Sequence, residues 1–223
     1  MEHGNHRKPE IVYFDAGHTL LRPEPAVAQR YVETAARYGV EADPALVKER
    51  FSELWRSERE RRSSALYRTD AAGTRRFWQD FVSRVFEPWI NDFTTFDGFF
   101  DELYDAFARG EAWHLFDDVI PTIERLEALG YRKGVISNWD LRLRDLLHTL
   151  GIANEFEAIV ISAEEGYENP APQILDRALA RCGVAPEAAI HVGDSLTDDV
   201  DGAREKGLLA LHLDSTLDED GPH

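Results

Sequence analysis

Oxygen donors stand at the ends of four apolar runs in this sequence. Asp15-Ala-Gly-His-Thr19 follows Glu10–Phe14, and Ser137-Asn-Trp-Asp140 closes the run that starts at Arg132. Ser162, Glu164 and Glu165 follow the run from Ala158, and Gly193-Asp-Ser-Leu-Thr-Asp-Asp199 follows the run from Ala189. If these runs are strands of one parallel sheet, Asp15, Asp194 and Asp199 converge with Thr19 and Ser137 beyond the carboxyl ends, where such sheets bind ligands. Carboxylate oxygens without histidine or cysteine suit Mg²⁺, which keeps several waters and takes one or two carboxylates. A carboxylate near such an ion can also attack a phosphoryl group. Any single aspartate here could be a helix N-cap; the set arriving in order is what points to chemistry.

The elements that must position these groups can be read from the pattern. Short continuous apolar runs at 10–14, 132–137, 158–162, 189–193 and 208–213 read as buried strands. Helical stretches at 121–129, 141–150, 172–182 and 199–206 alternate with them, each ending at a glycine. That alternation predicts an α/β fold, a Rossmann-like parallel sheet with helices on both faces. Between the first and second strands the rhythm changes to helical periods. Helices are expected at 25–38, at 44–62 behind an Asp43-Pro44 start, at 74–86 and at 96–107, with a weakly patterned connection at 63–73. Four helices and no convincing strand make this an all-α insert. The expected division is a core of residues 1–22 and 108–223 and a helical unit of residues 23–107.

Composition excludes several classes. A chain of 223 residues with 43% hydrophobic and 11% aromatic content can bury a substantial core, so it reads as globular and not disordered. The single cysteine, Cys182, rules out an internal disulfide framework and a multi-thiolate zinc site. A formal net charge of −17 argues against the chain as a whole binding nucleic acid or an anionic membrane. No apolar run approaches the roughly 20 residues that span a bilayer, and the polar stretch Met1–Pro9 lacks the apolar core of a signal peptide, so a cytoplasmic monomer or homodimer is expected. Residues 21–110 hold 14 bases and 16 acids, so the insert is nearly neutral inside an acidic protein.

The motifs resemble those of the haloacid dehalogenase superfamily of hydrolases. Phe14-Asp-Ala-Gly-His-Thr-Leu-Leu21 resembles its first motif, Ile136-Ser-Asn138 the second, Gly166-Tyr-Glu-Asn-Pro-Ala-Pro172 the third and His191-Val-Gly-Asp-Ser-Leu-Thr-Asp-Asp199 the fourth. The helical insert resembles the C1 cap of that superfamily. The resemblance implies Mg²⁺-dependent hydrolysis of a small phosphorylated metabolite through an aspartyl-phosphate on Asp15. It implies a metal between Asp15, the Gly17 carbonyl and Asp194 with Asp199 close by, Ser137 bonded to a phosphoryl oxygen, and a cap that excludes water. Asn169 falls in the catalytic set, and His18, Thr19, Asn138 and Trp139 fall around the substrate.

Two positions depart from the family pattern. Gly17 stands where a second aspartate acts as general acid and then base, a role that typically contributes 10²- to 10⁴-fold. His18 is the neighbouring candidate to replace it. Asn169 stands where a lysine neutralises charge, worth on the order of 4 kcal/mol at about 4 Å and an effective dielectric of 20. Weakened catalysis is therefore expected. The alternatives are a non-catalytic binding protein of the same fold, or a haloacid dehalogenase-type hydrolase of a non-phosphate substrate.

Other features carry weaker expectations. Arg56, Arg59, Arg61, Arg62, Arg68, Arg75 and Arg76 against Glu58, Glu60 and Asp70 either recruit an anion or form a solvated face of ion pairs. Glu164 and Glu165 read as loop charges. His3 and His6 look incidental, and the acidic tail from Asp214 reads as mobile.

Overall fold

The computed structural model describes residues 9–62 and 71–214. Five strands form one parallel sheet: β1 (Ile11–Phe14), β4 (Arg132–Ser137), β5 (Ala158–Ile161), β6 (Ala189–Gly193) and β7 (Leu209–His212). Their order is β5-β4-β1-β6-β7, so β1 is central and lies between β4 and β6. Its residues alternate between faces. Val12 and Phe14 join a cluster with Leu143, Leu146 and Leu147, while Ile11 and Tyr13 join one with Ile174, Leu175 and Ala178. Both faces are buried, which is why the strands are continuously apolar. Helices α5 (Val119–Ala128) and α6 (Arg142–Thr149) cover one face, and α8 (Pro172–Cys182) and the short α9 (Gly202–Glu205) cover the other. A one-turn helix, α7 (Ser162–Glu165), follows β5.

Residues between β1 and α5 form a separate helical layer. Helices α1 (Val27–Arg37), α2 (Pro44–Arg62), α3 (Ala71–Val85) and α4 (Phe96–Ala108) pack around their own core, which includes Tyr31, Phe81, Phe86, Phe99 and Phe100. The Thr95 side chain caps α4 by accepting the Gly98 N–H at 3.3 Å. Where the chain leaves and rejoins the sheet layer, β2 (Leu21–Pro23) pairs antiparallel with β3 (Trp113–Leu115). The sequence pattern does not announce this ribbon, because three residues are too few to show an alternation.

The expected helix at 199–206 is also different. The chain takes a wide, π-helical turn over Leu196–Asp201 and only then enters α9. Ser195 drives this early start: its Oγ accepts the Asp198 N–H at 3.1 Å, and its carbonyl accepts the N–H groups of Asp199 and Val200. Among the described residues no helix is long and apolar enough to cross a membrane. The expectations for His3, His6, the 63–70 connection with Arg68 and Asp70, the Arg62 side chain and the tail beyond Asp214 lie outside the described residues.

Candidate active site

Asp15 is the first residue past β1, and its N–H donates to the Val192 carbonyl at 2.9 Å, which locks it to the end of β6. Asp194 is the first residue past β6, and the wide turn carries Asp199 back beneath it. The Ser195 N–H donates to Asp199 Oδ2 at 3.0 Å, and His191 Nε2 lies 3.4 Å from Asp199 Oδ1. A Cβ at position 193 would run into the Asp199 carboxylate, so Gly193 is what allows this close return. The result is one carboxylate oxygen from each of Asp15, Asp194 and Asp199, all within 4.8 Å of one another.

Like charges at that spacing resist ionisation. Burial pushes the Asp15 carboxyl well above the usual carboxylate range and the Asp199 charge adds to it, while the hydrogen bond from Ser137 acts in the opposite direction. Asp194 is also raised, by burial and by Asp199, with His18 and Arg59 opposing. The donor set is three hard carboxylates, which fits a divalent cation such as Mg²⁺ and its retained waters.

Ser137, the last residue of β4, donates from Oγ to Asp15 Oδ1 at 2.8 Å. Asn138 pairs with the backbone of Asn169: its Oδ1 accepts the Asn169 N–H at 2.6 Å, and its Nδ2 donates to the Asn169 carbonyl at 3.0 Å. It holds the 169 segment against the strand end and lines the same cavity. Asn169 is itself buried, and both polar atoms of its side chain lack a hydrogen-bond partner, as does Thr19 Oγ1. Such atoms are costly to bury unless something fills their valence. His18 is exposed and adopts a left-handed backbone with φ of 54°.

Gly17 and Trp139 form a pair. A Cβ on residue 17 would lie 3.2 Å from Trp139 Cζ3, tighter than ordinary contact, so the indole occupies the space into which a side chain at 17 would project. Trp139 in turn packs on Trp113 with ring centres 5.0 Å apart.

All ten of the residues named from the sequence except Thr19 line one cavity of about 390 Å³. Its floor is the strand-end cluster. The far walls are aromatic and come from the helical layer, among them Tyr31, Phe51, Trp55, Phe77, Trp78 and Phe107. Sequence reasoning missed a buried pair that lines the same cavity from beyond the end of β4. Arg142 donates to Asp140 from Nε at 2.9 Å and from Nη2 at 2.6 Å, the Trp78 indole N–H donates to the same carboxylate at 2.9 Å, and the guanidinium lies 4.1 Å from the Tyr104 ring centre. Burial pushes the Asp140 carboxyl up, but the hydrogen bonds and charge of Arg142 outweigh it and hold it below its ordinary value. The only signal in the sequence was an acid two residues before an arginine at a strand end.

The arginine-rich segment resolves toward ion pairing. Arg59 reaches the cavity rim and pairs with Asp198 across the two layers, Arg61 pairs with Glu58 at 2.6 Å, and Arg75 pairs with Asp101. Glu164 pairs with Arg144 at 2.8 Å and Glu165 with Arg181, away from the carboxylate cluster.

A parallel α/β sheet whose central strand delivers an aspartate into an acidic cleft lined on its far side by an inserted helical layer defines a class of hydrolase fold. The family model for haloacid dehalogenase-like hydrolases matches residues 9–207, and the chain belongs to that family. Haloacid dehalogenase-like hydrolase domain-containing protein 3 of Danio rerio is 30% identical over 203 residues, 91% of this chain and 84% of that protein. Glyceraldehyde 3-phosphate phosphatase of Methanopyrus kandleri is 38% identical over 99 residues, 44% of this chain and 42% of its own. Among solved structures, a defluorinating L-2-haloacid dehalogenase superposes with a TM-score of 0.76 at 21% identity, covering 97% of this chain and 85% of that one, a likeness of fold.

Proposed function

We propose that this hydrolase cleaves a small phosphorylated metabolite, with Asp15 as the nucleophile. The observation that carries the reading is the convergence of Asp15, Asp194 and Asp199 beside Ser137 on the floor of one cavity. The name of the partial relative from Methanopyrus kandleri is in keeping with it. Asp15, the Gly17 carbonyl and Asp194 would hold Mg²⁺, with Asp199 beside them. When bound, the ion supplies the positive charge that three crowded carboxylates and a phosphoryl group need.

In this reading the Asp15 carboxylate attacks phosphorus, and water later hydrolyses the aspartyl-phosphate. Ser137 orients Asp15 and turns its hydrogen bond to a phosphoryl oxygen when substrate arrives, keeping its own proton. The orphaned Asn169 amide, which lines the cavity, would complete its hydrogen bonds on substrate. Residues 23–107 act as a cap over the core of residues 1–22 and 108–223, and the cap excludes water. The protein works in the cytoplasm, as a monomer or homodimer. Two positions temper the rate: Gly17 carries no proton, and Asn169 supplies no charge.

Steady-state turnover of p-nitrophenyl phosphate with and without Mg²⁺ tests this. Mg²⁺-dependent release of phosphate is expected, and Asp15→Asn should lower it by at least about 10⁴-fold in a well-folded protein. Halide release from 2-haloacids in place of phosphate release would move displacement at carbon to first place. Neither release, with the melting temperature indifferent to Mg²⁺, would leave a binding protein.

A further inference from the structure

The cavity is two-sided in its chemistry. Its floor is acidic, while the helical layer contributes a nearly continuous aromatic wall. Several charged side chains of the lining are already matched: Glu58 by Arg61 and Arg84, Asp140 by Arg142 and Trp78, Arg59 by Asp198. Recognising a polyol or a sugar requires several convergent polar groups, and a wall of matched ion pairs and indoles offers few. Aromatic surfaces favour an aromatic ligand, through offset or edge-on ring contacts. An apolar cavity of about 150 Å³ already holds a benzene ring, so about 390 Å³ leaves room for a ring and a phosphoryl group.

The position two residues beyond Asp15 supplies no proton donor. Gly17 has no side chain, and Trp139 fills the space beside it. Asp140 is held ionised by Arg142, and burial pushes the Tyr31 phenol above its usual range, making it a weaker acid. Among the described residues His18 is the one imidazole in the lining, and it is exposed.

We infer that the chamber takes the ring of an aryl phosphate, a phosphorylated phenol, whose oxygen leaves as the phenolate. The inference rests on the nucleophilic reading of Asp15 and names the substrate class of that same site. An Asp15 oxygen forms a bond to phosphorus as the P–O(aryl) bond breaks. The bonding pair stays on the phenolate oxygen, which takes its proton from solvent on release. Water then attacks phosphorus, its proton passing to solvent, and Asp15 is returned as carboxylate with inorganic phosphate. No enzyme acid is needed in the first step, because a phenolate is a stable leaving group and an alkoxide is not.

The test is kinetics of the full chain with Mg²⁺ on phenyl phosphates bearing different para substituents, on 2-phenylethyl phosphate and on glycerol phosphate. Phenyl phosphate should exceed 2-phenylethyl phosphate in kcat/KM by about 100-fold or more, the low end of a missing proton-transfer contribution. Rates should also rise steeply as the phenol becomes more acidic. Phenylphosphonate should inhibit at least about 10-fold more tightly than methylphosphonate, in line with burial of one ring. Trp55→Leu should erode that preference without changing inhibition by inorganic phosphate. Gly17→Asp combined with Trp139→Leu, which makes room for an acid, should raise 2-phenylethyl phosphate turnover at least about 10-fold relative to p-nitrophenyl phosphate. Glycerol phosphate cleaved as fast as phenyl phosphate, and slowed by His18→Ala, would overturn the inference. Equal binding of the two phosphonates would also overturn it. If no ester is cleaved, the nucleophilic reading falls and the leaving-group step with it. Phenylphosphonate binding, followed by tryptophan fluorescence, then decides the ring site separately.

Discussion

At the strand ends Asp15, Asp194 and Asp199 crowd like charge within 4.8 Å, whereas Asp140, in the wall of the same cavity, lies 2.6 Å from the guanidinium of Arg142. Asp140 is buried and Asp194 half-buried. Asp15 and Asp194 are raised, by burial and by Asp199; Asp140 is lowered, because Arg142 outweighs its burial. The first arrangement is unfavourable until a cation is supplied from outside. The second carries its own cation and ties the β4 end to the helical layer through Trp78 and Tyr104. One region keeps electrostatic strain where chemistry can use it, and the other removes it where only position matters.

The largest effect should come from breaking the matched pair. Asp140→Asn should destabilise the protein by about 3–5 kcal/mol in urea unfolding, the usual result of leaving one buried partner unmatched. A carboxyl lowered in the folded state contributes stability above its unfolded pKa, and that contribution is lost as pH falls through the folded value. The variant should therefore differ most from the natural chain at neutral pH and converge with it in acid. A loss below about 1 kcal/mol would place Asp140 among the ordinary surface acids.

Relieving the crowded cluster should act in the other direction. A carboxyl raised in the folded state favours folding below the unfolded pKa, and that advantage is lost as pH rises through the folded value. Without divalent ions Asp194→Asn should thus melt higher than the natural chain at pH 7, by on the order of 1 kcal/mol. Millimolar Mg²⁺ should raise the natural chain, by about 2.7 kcal/mol at 100-fold excess over Kd, and leave the variant nearly unmoved. Calorimetry across pH, with and without Mg²⁺, reads both signs at once, and a variant that melts lower in both buffers would contradict the comparison.

The smallest effect belongs to the exposed ion pair that bridges the layers. Arg59 and Asp198 have side-chain exposures of 50% and 23%, so solvent screens them. Arg59→Ala should cost less than about 1 kcal/mol, and high salt should erase the difference. A larger cost at high salt would make this contact part of the buried network.

The layer order and the strand-end placement were legible in the sequence, because parallel strands buried on both faces must be continuously apolar, as Ile11–Phe14 and Ala158–Ile161 are. The carboxylates could be placed without knowing a single contact, since each follows such a run directly. Less legible was the π-helical turn at Leu196–Asp201, which depends on Ser195 accepting backbone N–H groups, and the β2–β3 ribbon, which is too short to show a period.

By itself, then, the sequence determined the five strands of the main sheet and the longer helices, where the acids lie along them and which two family positions are replaced, because those properties depend on residues near one another in the chain. What occupies the space beside them was decided only in three dimensions. Trp139 lies over Gly17 although 122 positions separate them, Arg142 is matched to Asp140 within a pocket built by Trp78 and Tyr104, and the walls come from helices inserted far from the acids they face. Packing and desolvation depend on neighbours in space, so no local pattern in the chain could report them.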